Sequence, residues 1–319
     1  MSLTILGTGS AMPEKRLTNE ELTHMVDTSD EWIVTRTGIH ERRVITTETL
    51  SSLGAKALSL ALENAGCAPG ELEMILCTTV RGDTATPALA NMIERELGIN
   101  CPAIDLNGAC AGFIAALDVA DAYLTAGRVK RMAIVGAEAL SFLTDWTDRS
   151  TCVLFGDGAG AVVLGPGNGL NDLMLTAKPS EEWLVADAPK GNSPFFQGRP
   201  QHPYLTMNGQ EVYKFAVSSI TRDIRAMLKN NGLEAGQVDW YLLHQANLRI
   251  IEAARARLKQ PREKFPTTIE RYGNISSASI PVLMDEMNRQ GLLKEGQRIM
   301  MSAFGAGLTT GAALMTWRK

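Results

Sequence analysis

Asn107-Gly-Ala-Cys110-Ala-Gly-Phe-Ile-Ala-Ala-Leu117 is a turn of small residues running into an apolar segment. A second stretch of the same character, Gly273-Asn-Ile-Ser276-Ser-Ala-Ser-Ile-Pro-Val-Leu283, lies 166 residues further on, with Ser276 set against Cys110. Two more pairs keep nearly the same spacing. Gly70-Glu-Leu-Glu-Met-Ile-Leu-Cys77 is similar to Gly236-Gln-Val-Asp-Trp-Tyr-Leu-Leu243 at 166, and Arg131-Met-Ala-Ile-Val-Gly136 to Arg298-Ile-Met-Met-Ser-Ala303 at 167. A fourth, Gly160-Ala-Val-Val-Leu164 against Gly311-Ala-Ala-Leu-Met315, falls at 151, which implies an extra segment in the first half near Asp145–Phe155. Small apolar residues pair easily by chance, so no single match counts for much. Ordered matches at a steady offset indicate an internal duplication. The expectation is two α/β halves, residues 1–168 and 169–319, with Cys110 and Ser276 at equivalent helix starts facing each other across the centre.

Short apolar runs alternate with longer amphipathic ones, which is the pattern of an α/β protein. Glu71–Thr79, Arg131–Ala137, Ala159–Leu164, Trp240–Leu243 and Arg298–Ser302 read as strands, and the N-terminal residues read as a first strand and turn. Ala88–Leu97 reads as a helix, and Ala111–Ala126 as a helix apolar on most faces, hence buried. With 319 residues, 45% of them hydrophobic, the chain can bury a large core. No apolar run reaches the roughly 18 residues of a membrane span, and the N-terminus has no secretory pattern, so the expected compartment is the cytoplasm without membrane attachment. A net charge of -4 argues against nucleic acid as a partner. The five cysteines (Cys67, Cys77, Cys101, Cys110, Cys152) form no Cys-x-x-Cys pair, and with four scattered histidines they offer no metal site.

Three residues could carry chemistry. Cys110 follows a glycine turn at the start of the buried helix, where unpaired N–H groups and the positive end of the helix dipole favour a thiolate. Taken alone, it reads at least as well as a small core residue. His244 ends the strand Trp240–Leu243, the edge where catalytic loops gather in α/β sheets, although a lone histidine there also serves as a capping residue. Asn274, taken alone, reads as a turn or cap residue. Phe304-Gly-Ala-Gly307 supplies glycines that let backbone N–H groups approach a ligand. Gly156-Asp-Gly-Ala-Gly160 lacks the context of a dinucleotide loop, and neither a phosphate-binding loop nor a Gly-x-Ser-x-Gly elbow occurs.

Together, Asn-Gly-Ala-Cys110-Ala-Gly-Phe, His244-Gln-Ala-Asn247-Leu-Arg and Gly-Asn274-Ile-Ser-Ser-Ala-Ser resemble the Cys-His-Asn triad of β-ketoacyl-acyl-carrier-protein synthase III. Glu31-Trp-Ile-Val-Thr-Arg-Thr-Gly-Ile39, Asp145-Trp-Thr-Asp-Arg149, Leu154-Phe-Gly-Asp-Gly-Ala-Gly160 and Met207-Asn-Gly-Gln-Glu-Val-Tyr-Lys-Phe215 extend the likeness over nearly the whole chain. The resemblance implies the thiolase-like fold, two duplicated halves layered αβαβα, in a homodimer. It implies an acyltransferase of type II fatty-acid synthesis. Cys110 takes an acyl group from acyl-CoA, and malonyl-acyl-carrier protein decarboxylates and condenses with it; His244 and Asn274 stabilise the enolate. The amides of Cys110 and Ala306 would form the oxyanion hole, Trp32 and Arg149 would sandwich the CoA adenine, and Arg36 and Asn247 would help hold CoA. Thr86 and Phe304 are the expected acyl-pocket residues. Lys214, Arg249, Arg255 and Arg257 are the expected docking surface for the acidic carrier protein. CoA is a substrate, and neither a metal nor another cofactor is implied.

The sequence departs from the family pattern in places. Thr86 stands before Pro87 where a bulkier residue is common and closes the pocket across the dimer, which leaves room for a larger primer. Thr310 and Tyr213 stand where aromatic residues and phenylalanine are common, and both are expected to shape the pocket. Gly-Asn-Ile-Ser-Ser replaces the commoner Gly-Asn-Thr-Ser-Ala. The rival readings are a specialised relative that primes a polyketide or alkylquinolone, and a non-catalytic acyl-binding subunit; the intact triad opposes the latter.

Overall fold

The computed structural model describes residues 2–180, 182–188, 194–195, 197–198 and 202–319. Two sheets carry the architecture. In the first, the strands run in the order Ser2–Ala11, Asp157–Gly167, Met132–Ala139, Met74–Thr78 and Ala103–Leu106. In the second, the order is Trp240–Leu243, Arg298–Gly305, Gly307–Thr316 and Leu170–Ser180. Met74–Thr78 pairs parallel to Met132–Ala139, which pairs antiparallel to Asp157–Gly167. Trp240–Leu243, Arg298–Gly305 and Gly307–Thr316 repeat that parallel-then-antiparallel sequence. Every residue of Met132–Ala139 is buried, because the sheet is covered on both faces and leaves no room for the polar alternation of a half-exposed strand.

The covering helices make five layers. Leu50–Ala65 and Leu89–Leu97 pack outside the first sheet, and Gly209–Asn230 outside the second. Between the sheets lie Gly112–Thr125 and Ser279–Arg289, whose side chains merge with those of both sheets in one apolar core around Phe113, Leu117, Ile134, Leu283 and Met301. Each such side chain contributes roughly 1.5–3 kcal/mol on burial. Backbones come close here. A Cβ on Gly160 would meet Val282 N at 2.7 Å, so this strand admits the helix only because position 160 has no side chain. The layering is the αβαβα order expected from the thiolase-like resemblance. Among the described residues, no helix is long and apolar enough to cross a membrane.

The duplication is real, and its register at the centre differs by one residue from the expectation. The short turns Ala109–Ala111 and Ser276–Ala278 lead into helices starting at Gly112 and Ser279, an offset of 167 (279 against 112). Ala109 and Ser276 share a positive φ, 45° and 47°. The counterpart of Cys110 is therefore Ser277, and that of Asn274 is Asn107. The offset of 151 also has its cause. The first half inserts the segment containing Leu140–Leu143 and Arg149–Cys152 between its two antiparallel strands, where the second half has only Ala306.

Candidate active site

Cys110 sits at the tip of the turn Ala109–Ala111 and is partly open to a cavity of about 1370 Å³. The end of the strand Arg298–Gly305 presses against this turn. A Cβ on Gly305 would stand 2.7 Å from Cys110 N and 3.1 Å from Ala111 N, so a glycine is required for the strand to reach the backbone of the turn. The helix start was expected to hold the thiol low. Burial dominates instead and pushes it up to about 12, against the lowering influence of the Ser276 hydroxyl. The resting nucleophile candidate is a thiol.

His244, at the end of Trp240–Leu243, is buried, and its backbone N–H donates to Ser302 O at 2.9 Å. Its ring lies edge-on to Phe304, with centroids 5.3 Å apart and planes at 65°. Nδ1 is 2.8 Å from Ser279 Oγ, and Nε2 has no partner in the protein among the described residues. Burial pushes the imidazole down to about 3, so it is neutral at any physiological pH.

Asn274 is fixed by its backbone: its N–H donates to Leu154 O at 2.8 Å, and its carbonyl accepts from Gly156 N at 3.1 Å. Its Oδ1 accepts from Ser276 N at 2.9 Å, which leaves the amide nitrogen as the group available to a ligand. Cys110, His244, Asn274, Phe304 and Ala306 all line the same cavity. Cys110 and Asn274, 164 positions apart in the chain (274 against 110), are thus brought together by the two central turns.

At the mouth, Trp32 lies on the helix Asp30–Thr37 beneath two guanidinium groups, Arg36 at 4.4 Å and Arg149 at 4.8 Å from the ring centroid. Trp32 and Arg36 line the cavity; Arg149 sits beside it, donating to Asp27 O at 2.7 Å. Asn247 also lines it, but its side chain caps the helix Leu248–Leu258, accepting from Arg249 N at 2.9 Å and donating to Arg36 O at 3.1 Å. Of the four basic residues grouped from sequence, only Lys214 and Arg249 reach the mouth. Arg255 is tied to Glu252 at 2.7 Å and to Gln260 O at 3.1 Å, and Arg257 to Val217 O at 3.3 Å.

Thr86 is exposed and lies outside the cavity of its own chain, as a residue expected to act across a dimer would. Thr310 is turned away from it, donating to buried Asp223 at 2.6 Å, whereas Tyr213 does line the cavity. The sequence reading missed Ser279 and Glu138. Glu138 is buried, with its carboxylate accepting from Val80 N at 2.9 Å and Ser277 Oγ at 2.7 Å; burial pushes it up to about 7. A lone acid inside the run Met132–Ala139 was the available signal.

Comparison with known proteins gives one consistent result. The family described as 3-oxoacyl-[acyl-carrier-protein] synthase III matches residues 104–179, and its C-terminal part matches residues 228–317. β-Ketoacyl-[acyl-carrier-protein] synthase III of Clostridium acetobutylicum is 42% identical over 100% of this chain and 99% of its own. That of Xanthomonas campestris pv. campestris is 44% identical over 98% of each chain. The crystal structure of 3-oxoacyl-[acyl-carrier-protein] synthase III from Aquifex aeolicus superposes with a TM-score of 0.93 at 41% identity, covering 99% of this chain and 100% of that one. The priming β-ketosynthase of the R1128 polyketide pathway superposes at 0.91 with 34% identity, covering 100% and 97%.

Proposed function

The chain belongs to the 3-oxoacyl-[acyl-carrier-protein] synthase III family, and on that premise we propose that it primes fatty-acid synthesis by condensing an acyl-CoA with malonyl-acyl-carrier protein through an acyl group held on Cys110. It is an acyltransferase of the condensing-enzyme class. The observation that carries the reading is the meeting of one thiol, one neutral imidazole and one free amide nitrogen on a single cavity.

The chemistry follows from those groups. In the first step Cys110 Sγ bonds to the thioester carbonyl carbon, the carbon–sulfur bond to CoA breaks, and the thiol proton leaves with the CoA thiolate. The amides of Cys110 and Ala306 receive the tetrahedral oxyanion in this proposal, and losing one such donor costs on the order of 10²–10³ in rate. In the second step the malonyl group loses CO2, and negative charge develops on its thioester oxygen. Hydrogen bonds from His244 and Asn274 stabilise that enolate, and a neutral imidazole does so without having to give up a charge. The enolate carbon then bonds to the acyl carbonyl, and the Cys110 thiolate is expelled and takes up one proton. The first step uses the thiol and backbone amides; the second adds the His244 imidazole and the Asn274 side-chain amide.

Trp32, with Arg36 and Arg149, offers an aromatic face and two cations to the adenine and phosphates of CoA; Asn247 supports this rim by joining it to the helix Leu248–Leu258. Lys214 and Arg249 form the part of the docking surface that a carrier protein meets first, with Arg255 and Arg257 behind it. A homodimer of cytoplasmic location completes the proposal. Among the described residues the edge strand Ala103–Leu106 pairs only with Met74–Thr78, and Ile104 on it is 45% exposed, a surface suited to a second copy. Exposed Thr86 then closes the acyl pocket of the partner.

Mass spectrometry after incubation with an acyl-CoA panel from acetyl to decanoyl tests the central step. One acyl adduct is expected, lost in Cys110→Ala with the fold retained. Turnover by Cys110→Ala would refute the assignment.

A further inference from the structure

Ser279 opens the second central helix and is buried. Its Oγ lies 2.8 Å from His244 Nδ1 and 3.4 Å from the backbone nitrogen of Gln245. A backbone N–H can only donate, so Oγ accepts from Gln245 and its single proton is free for Nδ1. A neutral imidazole that accepts at Nδ1 carries its own proton on Nε2. The ring cannot turn over without loss, because inversion would replace Nδ1 by a carbon against Ser279. Phe304 packs edge-on against the ring at 5.3 Å, and the backbone N–H of His244 is anchored to Ser302 O at 2.9 Å, so the ring is confined and its main chain fixed.

We propose that Ser279 is a positioning residue: its hydroxyl fixes His244 in the Nε2–H tautomer, so that the imidazole presents a donor to the cavity. The opposite tautomer would direct a lone pair at the oxygen on which the enolate charge develops, turning a stabilising contact into a repulsive one. Where the tautomer of a catalytic imidazole is set wrongly, the cost is on the order of 10⁴ in rate. Removing Ser279 takes away the bias without imposing the wrong form, so the expected loss is smaller, roughly 10- to 10²-fold. The inference rests on the proposed role of His244 in condensation. It is specific to that half of the reaction, since the first step needs only the thiol and the backbone amides.

The test is Ser279→Ala in the full-length protein, read three ways. Single-turnover condensation of the pre-acylated enzyme with malonyl-acyl-carrier protein should fall roughly 10- to 10²-fold. Acylation of Cys110 should stay within about 3-fold of the native rate, since no oxyanion donor is removed. In protein labelled with [15N]histidine, with His244 assigned by its loss in His244→Ala, the native imidazole should show the Nε2–H form, and Ser279→Ala should show a mixture. A merely structural serine would not move that signature. Ser279→Cys, which keeps a weak donor at the same place, should be intermediate, and it carries the test if Ser279→Ala does not fold. A native Nδ1–H form, or unchanged condensation in Ser279→Ala, overturns the inference. If His244→Ala itself condenses at the native rate, the failure lies with the proposed role of His244.

Discussion

The two central turns share a backbone and differ in what faces them. In the first, Asn107 Oδ1 accepts from Ala109 N at 3.1 Å; in the second, Asn274 Oδ1 accepts from Ser276 N at 2.9 Å. Both then pass through a positive φ, at Ala109 and Ser276, into a buried helix. The residues opposite are also counterparts, at the same position of duplicated strands, yet they are unlike. Gly305 faces Cys110, with nothing beyond its backbone. Glu138 faces Ser277, its carboxylate accepting from Ser277 N at 3.3 Å and Ser277 Oγ at 2.7 Å. One copy leaves its turn open to a cavity, and the other fills the equivalent space with its own acid. Duplication supplied two turns with the same backbone; the side chain opposite decides which one opens onto the cavity.

The largest effect should come from closing the open copy. Gly305→Ala places a Cβ within 2.7 Å of Cys110 N, a backbone atom of a packed turn that cannot yield as a flexible side chain would. The turn must shift, and the amide proposed to receive the oxyanion shifts with it. Acylation of Cys110 should fall by about 10²–10³, the loss typical of one oxyanion donor. Quenched-flow mass spectrometry measures it. An acylation rate within a few-fold of native would mean that the glycine is not what keeps this copy open.

Opening the filled copy should act on stability and its pH dependence. Burial holds Glu138 up at about 7, above the ordinary 4.5, so the fold favours its protonated form. Stability from this site is complete below the unfolded value and is lost as pH rises from about 4.5 through 7. His244 has the opposite sign. Its value is pushed down from 6.5 to about 3, so the stability of its neutral burial is complete above 6.5 and is lost as pH falls towards 3. Chemical denaturation across pH separates the two. Glu138→Gln should flatten the decline between about 4.5 and 7, worth at most about 3.5 kcal/mol at 1.4 kcal/mol per pH unit, and leave the acid limb in place. An unchanged slope in that window would show that Glu138 is not protonated on folding there.

How much of this could be read in the chain follows from the same comparison. The duplication was legible because Gly70–Cys77 and Gly236–Leu243 keep their order and spacing. The register at the centre was not, because glycine, alanine and serine match equally well at 166 or 167, and only the turn geometry separates Ser276 from Ser277. The identities of Cys110, His244 and Asn274 were legible through their local motifs. The state of Cys110 was not: a helix start predicts a lowered thiol, while the desolvation that raises it comes from residues far away in sequence. Ser279 had no signal of its own, since a serine opening a helix reads as a cap and its contact with His244 spans 35 positions. Arg255 and Arg257 looked like free docking charges because sequence spacing does not disclose Gln260 O and Val217 O as their acceptors.

The smallest effect expected is also the most discriminating between the two copies. Asn107 and Asn274 make the same hydrogen bond, but the Asn107 bond lies at an exposed position, and only Asn274 is held by backbone pairing to the opposing loop at Leu154 and Gly156. Asn107→Ala should therefore cost about 0.5–1.5 kcal/mol of stability, the worth of one ordinary hydrogen bond, and slow acylation by no more than a few-fold. Asn274→Ala should lose a comparable bond and, in addition, the amide nitrogen proposed to stabilise the enolate, so single-turnover condensation falls by about 10²-fold while acylation is nearly spared. If the turn bond alone mattered, the two variants would be equally impaired in both half-reactions. A split confined to condensation, and to Asn274, assigns the difference between the copies to the cavity and not to the turn that they share.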